Sequence, residues 1–305
     1  MTQPEVQLQG ASKDLVRLVE IPDRLVMVSK GGVMRDHKMR VLTEWVDFLS
    51  QVDIPVLKQT ARNLSALRQN EKNLSARGVA NVIRHDPMMT VKLLRYLQQK
   101  KHSSQEHEVI QVDQALMMLG LDTFFKNVPT EPLAETVLKG QMDAMSSLLR
   151  LTHRSNRASI FALDWAVHLS DMHFEEVRIA ALLFDIAELL MWCFAPIEML
   201  KIHAMQHQDK TLRSNVVQEQ VLGFTLFSLQ SALAHKWSLP KLLVTLMDGE
   251  CDDHQRVRNV FLAVNLARHS ANGWDNAALP DDYIDIGKLL HIHPEKVQIM
   301  IETQK

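Results

Sequence analysis

The chain has 305 residues, and its 34 Lys and Arg stand against 36 Asp and Glu for a formal net charge of −2. That length gives an expectation of about two domains at roughly 150 residues each, able to bury a core without disulfide or metal staples. Two cysteines, Cys193 and Cys251, neither in a C-x-x-C pair, exclude a disulfide scaffold, a zinc ribbon and a thioredoxin-type site, and fit a reducing cytoplasm. With 10 Gly, 10 Pro and 2 Tyr among many Leu, Ala, Met, Gln and Lys, the composition predicts an all-α protein.

The opening Met-Thr-Gln-Pro-Glu has neither the basic nor the apolar stretch of a secretory signal. Residues 1–50 read as an N-terminal extension, with a short hairpin expected from Leu25–Val28 through Gly31-Gly32 to Val33-Met34. From Asp36, the spacing of Met39, Leu42, Val46 and Leu49 predicts a helix running to about Val52.

The main body, residues 51–305, divides by composition and prolines into 51–128, 129–250 and 251–305. Four helices are predicted between 55 and 125. Ser75 caps the second, Asp86-Pro87 opens the third, and Gly120 stops the fourth. A long helix follows over about Met142 to Leu169, and another opens at Asp171, carries Asp185 and ends at Pro196. Further helices are expected over about 197–207, 215–236, 239–248, 254–271, 281–290 and 294–303. The longest apolar run, Ile179 to Ile197, holds Asp185 and Glu188 near its centre. On an insertion scale two such acids cost about 5 to 7 kcal/mol together, enough to cancel the gain from the apolar side chains, so the run reads as a buried helix with no membrane insertion.

Several local signatures stand in a fixed order along this array: Ile83-Arg84-His85-Asp86-Pro87, Leu93-Leu94-Arg95, Ala115-Leu116 and Leu119-Gly120. Then come His153 with Ala158 and Ala162, Leu182-Leu183-Phe184-Asp185-Ile186-Ala187-Glu188-Leu189, Gly223, Trp237-Ser238-Leu239-Pro240 and Val264-Asn265-Leu266-Ala267. The succession resembles the HDOD family, helical modules of bacterial signalling proteins related to the HD superfamily of metal-dependent phosphohydrolases. The resemblance covers roughly residues 50–302 and implies a multi-helix HD-like bundle.

The departures bear on function. HD enzymes hold metal through a histidine, a His-Asp pair and a later aspartate. Here His153 and Asp185 remain, Phe184 stands where the pair has its histidine, and Asn265 where the last aspartate is expected. The family's Gly-x-x-His reads Gly223-Phe224-Thr225-Leu226, and its Asn-Ser after Leu-Leu-Arg reads Gln98-Gln99. Phenylalanine and leucine have no lone pair for a metal, and two survivors fall short of the three protein ligands that a catalytic site needs. Asp185 therefore reads as a buried carboxylate hydrogen-bonded to a neighbouring helix, with His153 one candidate partner. Glu188, three residues on, shares nearly the same helix face, and with no His-x-x-x-Glu or Glu-x-x-His spacing beside it reads as emerging at the solvent edge of the helix.

Two further patterns carry weaker chemistry. His203 and His207 are spaced i,i+4 without the glutamate of a His-Glu-x-x-His motif and read as surface histidines. Arg84, Lys92, Arg95, Lys100 and Lys101 form a candidate basic binding face, yet only Tyr96 could stack a base, and the net charge argues against nucleic acid. Glycine-rich phosphate loops and nucleophile elbows are missing. The reading is a cytoplasmic, non-enzymatic regulatory module without a cofactor that binds a signalling protein or small effector through its helical surface. The rival reading is a divergent metal-dependent phosphohydrolase.

Overall fold

The computed structural model describes residues 17–21, 24–28, 41–70, 74–100, 111–209, 211–248 and 254–302. The chain separates into two units, Met1–Met39 and Arg40–Lys305. In the first, β1 (Arg17–Ile21) pairs antiparallel with β2 (Arg24–Val28), in a register that sets Leu18 opposite Met27 and Ile21 opposite Arg24. The strand expected at Leu25–Val28 is present, but its partner precedes it. By residue type Leu18, Val19 and Ile21 favour a strand, and in sequence only Pro22-Asp23 separates it from the next. The turn expected at Gly31-Gly32 and the return strand Val33-Met34 lie outside the described residues.

The second unit is all-α. It begins with α1 (Leu42–Gln51), which buries Trp45 and Leu49, and Phe48 meets the Phe194 ring edge-on at 5.4 Å. The unit therefore starts near residue 40, not at 51, because this apolar stripe is part of the body's core. Next come α2 (Lys58–Gln69), α3 (Ala76–Ile83) and α4 (Pro87–Lys100). Ser75 caps α3 by accepting from the Gly78 N–H at 3.1 Å. Asp86 caps α4 through Oδ1, which accepts from the N–H groups of Met88 and Met89, both at 3.0 Å. Its Oδ2 accepts from Leu57 N–H at 3.1 Å, so one buried carboxylate joins two helix starts. Burial raises the Asp86 pKa against these three donors.

Gly120, at φ 79°, separates α5 (Val112–Leu119) from α6 (Leu121–Asn127). After the short α7 (Ala134–Val137), the 27-residue α8 (Met142–His168) forms the axis of the unit. The single apolar helix expected from Asp171 to Pro196 is two: α9 (Phe174–Leu183) and α10 (Ile186–Phe194), broken at Phe184-Asp185. Gln230 holds the break open. Its Oε1 accepts from Ala187 N–H at 2.9 Å and its Nε2 donates to Leu183 C=O at 3.2 Å, so one side-chain amide satisfies both freed backbone groups.

Pro196 starts α11 (Pro196–Gln208). The helix expected over 215–236 is also two, α12 (Ser214–Leu222) and α13 (Leu226–Lys236). Gly223 adopts the left-handed conformation at φ 86°, and Thr225 caps α13 by accepting from Ser228 N–H at 3.1 Å. The remaining helices are α14 (Lys241–Asp248), α15 (Gln255–His269), α16 (Leu279–Leu290) and α17 (Pro294–Glu302). Among the described residues no single helix is long and apolar enough to cross a membrane.

Candidate functional site

The break between α9 and α10 places Asp185 at a helix junction facing α8. The residue opposite it is Arg154, not His153. The Arg154 Nη2 donates to Asp185 Oδ2 at 2.9 Å and lies 3.3 Å from Glu188 Oε2. Successive helical residues are rotated by about 100°, so when Arg154 faces the junction its neighbour His153 points to solvent, where it is exposed. From α15, Arg268 Nη2 approaches Asp185 Oδ1 at 4.0 Å. Two guanidiniums thus meet two carboxylates at the convergence of α8, α10 and α15.

The electrostatics follow from this geometry. Burial alone would lower the Arg154 pKa, but the charges of Asp185 and Glu188 raise it, so its cation is firmly held. Burial raises the Glu188 pKa, and the neighbouring Asp185 charge adds to the rise against Arg154 and Arg268. The Trp192 indole N–H lies near the Glu188 carboxylate without good hydrogen-bond geometry. On α11, His203 sets its ring edge-on to Trp192 at 4.8 Å. Its pKa is lowered by burial and then by Arg150 and Arg154.

The other HD-like positions do not add donors. Phe184 packs edge-on against Phe261 at 5.4 Å. Leu226 is buried at the start of α13, where its N–H donates to Gln218 Oε1 at 2.8 Å. Asn265 is half-buried on α15. Among the described residues no three His, Cys, Asp or Glu side chains converge as a metal cluster. The donor chemistry does not fit a catalytic metal: an aromatic ring replaces a ligand, and a guanidinium lies against the remaining carboxylates, where a cation would have to sit.

The candidate basic face is mostly interior. Lys92 is 4% exposed, and its ammonium donates to the carbonyls of Ile54 at 3.1 Å and Glu131 at 2.7 Å. Burial lowers its pKa to about 8, against the raising effect of Asp53. Arg95 is buried and donates to Val52 C=O at 3.0 Å, with its guanidinium 5.9 Å from the Trp237 ring centre. Arg84 ion-pairs with Asp113 and lies 3.9 Å from Glu175. These three cations close the junctions around α4 and form no common surface. Lys100 is exposed, above the Tyr96 ring at 5.9 Å, and Lys101 lies outside the described residues.

Sequence reasoning missed Arg154. A signal was present, since two carboxylates at i,i+3 inside an apolar segment require a buried counter-charge, and an arginine directly follows the surviving histidine.

Comparison with known proteins agrees with this architecture. The chain resembles the MmoQ response regulator of Methylococcus capsulatus, with 17% identity and a TM-score of 0.58 over 82% of this chain and 98% of that one. It also resembles a virulence factor of Campylobacter jejuni, with 16% identity and a TM-score of 0.59 over 82% and 90% of the two chains. At these identities the likeness is one of fold. No curated protein matches the chain. The family model for the HDOD domain matches residues 54–250. This chain belongs to the HDOD family.

Proposed function

We propose that this protein is a non-enzymatic regulatory module, acting by binding a signalling partner or small effector at its helical surface in the cytoplasm. One observation carries the reading: the Arg154 guanidinium contacts both Asp185 and Glu188. A phosphohydrolase would need those carboxylates to hold a divalent cation and polarise an attacking water. Here an internal cation compensates them, and neither Phe184 nor Leu226 can complete a ligand set. The rival reading would need ligands recruited from elsewhere around Asp185.

The test is hydrolysis of a generic phosphodiester and of nucleotide phosphates by the full chain with added Mn²⁺, Fe²⁺ or Zn²⁺. The expected result is no turnover above buffer. Turnover abolished by Asp185→Ala would overturn the reading in favour of a divergent hydrolase.

A further inference from the structure

Helix α8 carries apolar side chains that the unit leaves open to solvent: Met142, Leu149, Ile160 and Val167 are 77%, 46%, 44% and 58% exposed. At about 100° and about 1.5 Å per residue, the four fall within about 20° of one another and form one outward stripe about 37 Å long. Single exposed apolar residues are ordinary, but a continuous stripe marks an interaction surface.

The stripe is symmetric in position. Leu149 and Ile160 stand at equal distances on either side of the point between Arg154 and Ser155, and so do Met142 and Val167 and, at the centre, His153 and Asn156. A helix that meets its own copy antiparallel across a two-fold axis requires this, because residue i must face j while j faces i. Met142 then faces the partner's Val167, Leu149 the partner's Ile160 and His153 the partner's Asn156, so apolar meets apolar and the polar pair at the centre fixes the register.

The edges agree. Met145 and Leu163, half-buried and turned by about 60° to one side, face each other's copies in the same way. On the other edge the exposed Asp143 and His168 stand at opposite ends of α8, so antiparallel pairing brings Asp143 to the partner's His168 at both ends, an acceptor to a donor. A parallel pair would set Asp143 against its own copy. Arg150 and Arg157 turn away from the stripe, toward Ser147 and toward Phe161, both buried.

A helix contact about 37 Å long and about 10 Å wide buries on the order of 400 Å² per copy, half of the roughly 800 Å² that a standard interface takes from each partner. The exposed Met172 beyond the end of α8 extends it, as does the turn after α3, where His85 C=O accepts from Asn156 at 2.8 Å beside the centre. That area belongs to a reversible complex.

We propose that the outer face of α8 is the contact through which two copies of this chain form an antiparallel, two-fold dimer of modest affinity. The dimer is independent of the non-enzymatic reading and stands or falls by itself.

The experiment is sedimentation velocity of the full chain from about 1 to about 300 µM, for the wild type, Leu149→Glu, Ile160→Lys and the double variant. The expected result is a wild type that passes from monomer to dimer over this range, and single variants whose self-association is at least about tenfold weaker, since the axis repeats each substitution. The double variant sets the introduced carboxylate opposite the partner's introduced ammonium and regains the dimer. Both positions are exposed, so helical circular dichroism should match the wild type in all three variants. A wild type that stays monomeric to about 300 µM would leave the stripe to a different protein and overturn the proposal, as would single variants that dimerise like the wild type or a double variant no better than the singles.

Discussion

Arg154 Nη2 lies 2.9 Å from Asp185 Oδ2, joining α8 to the break between α9 and α10. Both side chains are largely shielded, at 20% and 12% exposure. Removing one partner leaves the other charge desolvated without compensation, which is costlier than replacing both. Arg154→Ala is expected to lower unfolding stability by about 2 to 4 kcal/mol, read from urea denaturation at neutral pH. His153→Ala, on the exposed side of the same helix, should stay within about 0.5 kcal/mol of wild type. Equal losses in the two variants would contradict this assignment of the ion pair.

Glu188 gives a pH-dependent prediction. Its folded pKa is raised, by burial first, so the folded state holds the proton more tightly than the unfolded chain does. The resulting stability is fully present below the unfolded carboxylate range and is lost as pH rises through the folded value. Glu188→Gln mimics the protonated form. Stability curves from acid to neutral pH should therefore show the variant gaining on the wild type as pH rises. A wild type that gains on the variant would contradict the direction.

Lys92 behaves oppositely. Its ammonium titrates at about 8 in the folded protein, below the ordinary lysine value of 10.5, so the unfolded chain binds more protons between those limits. Wild-type stability should rise with pH across that window relative to a Lys92→Met variant, by an amount on the order of a few kcal/mol at most. At neutral pH Lys92→Met should still be destabilised, because the Ile54 and Glu131 carbonyls lose their donor. A difference curve flat from pH 8 to 10.5 would contradict the assignment.

Asp86 accepts from three backbone N–H groups at the starts of α2 and α4. Asp86→Ala orphans all three in the interior and should cost about 2 to 4 kcal/mol. Asp86→Asn, which keeps one acceptor oxygen, should recover part of that loss. The check is thermal or urea unfolding of both variants.

What was legible in the sequence was what local chemistry decides. Ser75, Asp86-Pro87 and Gly120 mark their helix ends because caps and left-handed stops act within a few residues. The order of motifs gave the family. What was not legible depended on distant partners. The α9–α10 break is held by Gln230, 43 residues beyond Ala187 in sequence. Leu25–Val28 suits a hairpin with either neighbouring segment, and only the pairing with Arg17–Ile21 distinguishes the two. Lys92 and Arg95 looked like a basic face because periodicity does not reveal that a long cationic stem can end on buried carbonyls. At the centre, Phe184 and Leu226 bring no donor to Asp185, and the counter-charge that meets it stands one residue from the histidine the motif singled out.

The central claim is that Arg154 occupies the electrostatic role of a metal at this site. Its most direct test is elemental analysis of the full chain, purified without chelators and equilibrated with Mn²⁺, Fe²⁺ or Zn²⁺, beside Asp185→Ala. The account predicts well under one equivalent of any of these metals in both proteins. About one equivalent in the wild type, lost in Asp185→Ala, would contradict it and return the protein to the metal-dependent hydrolases.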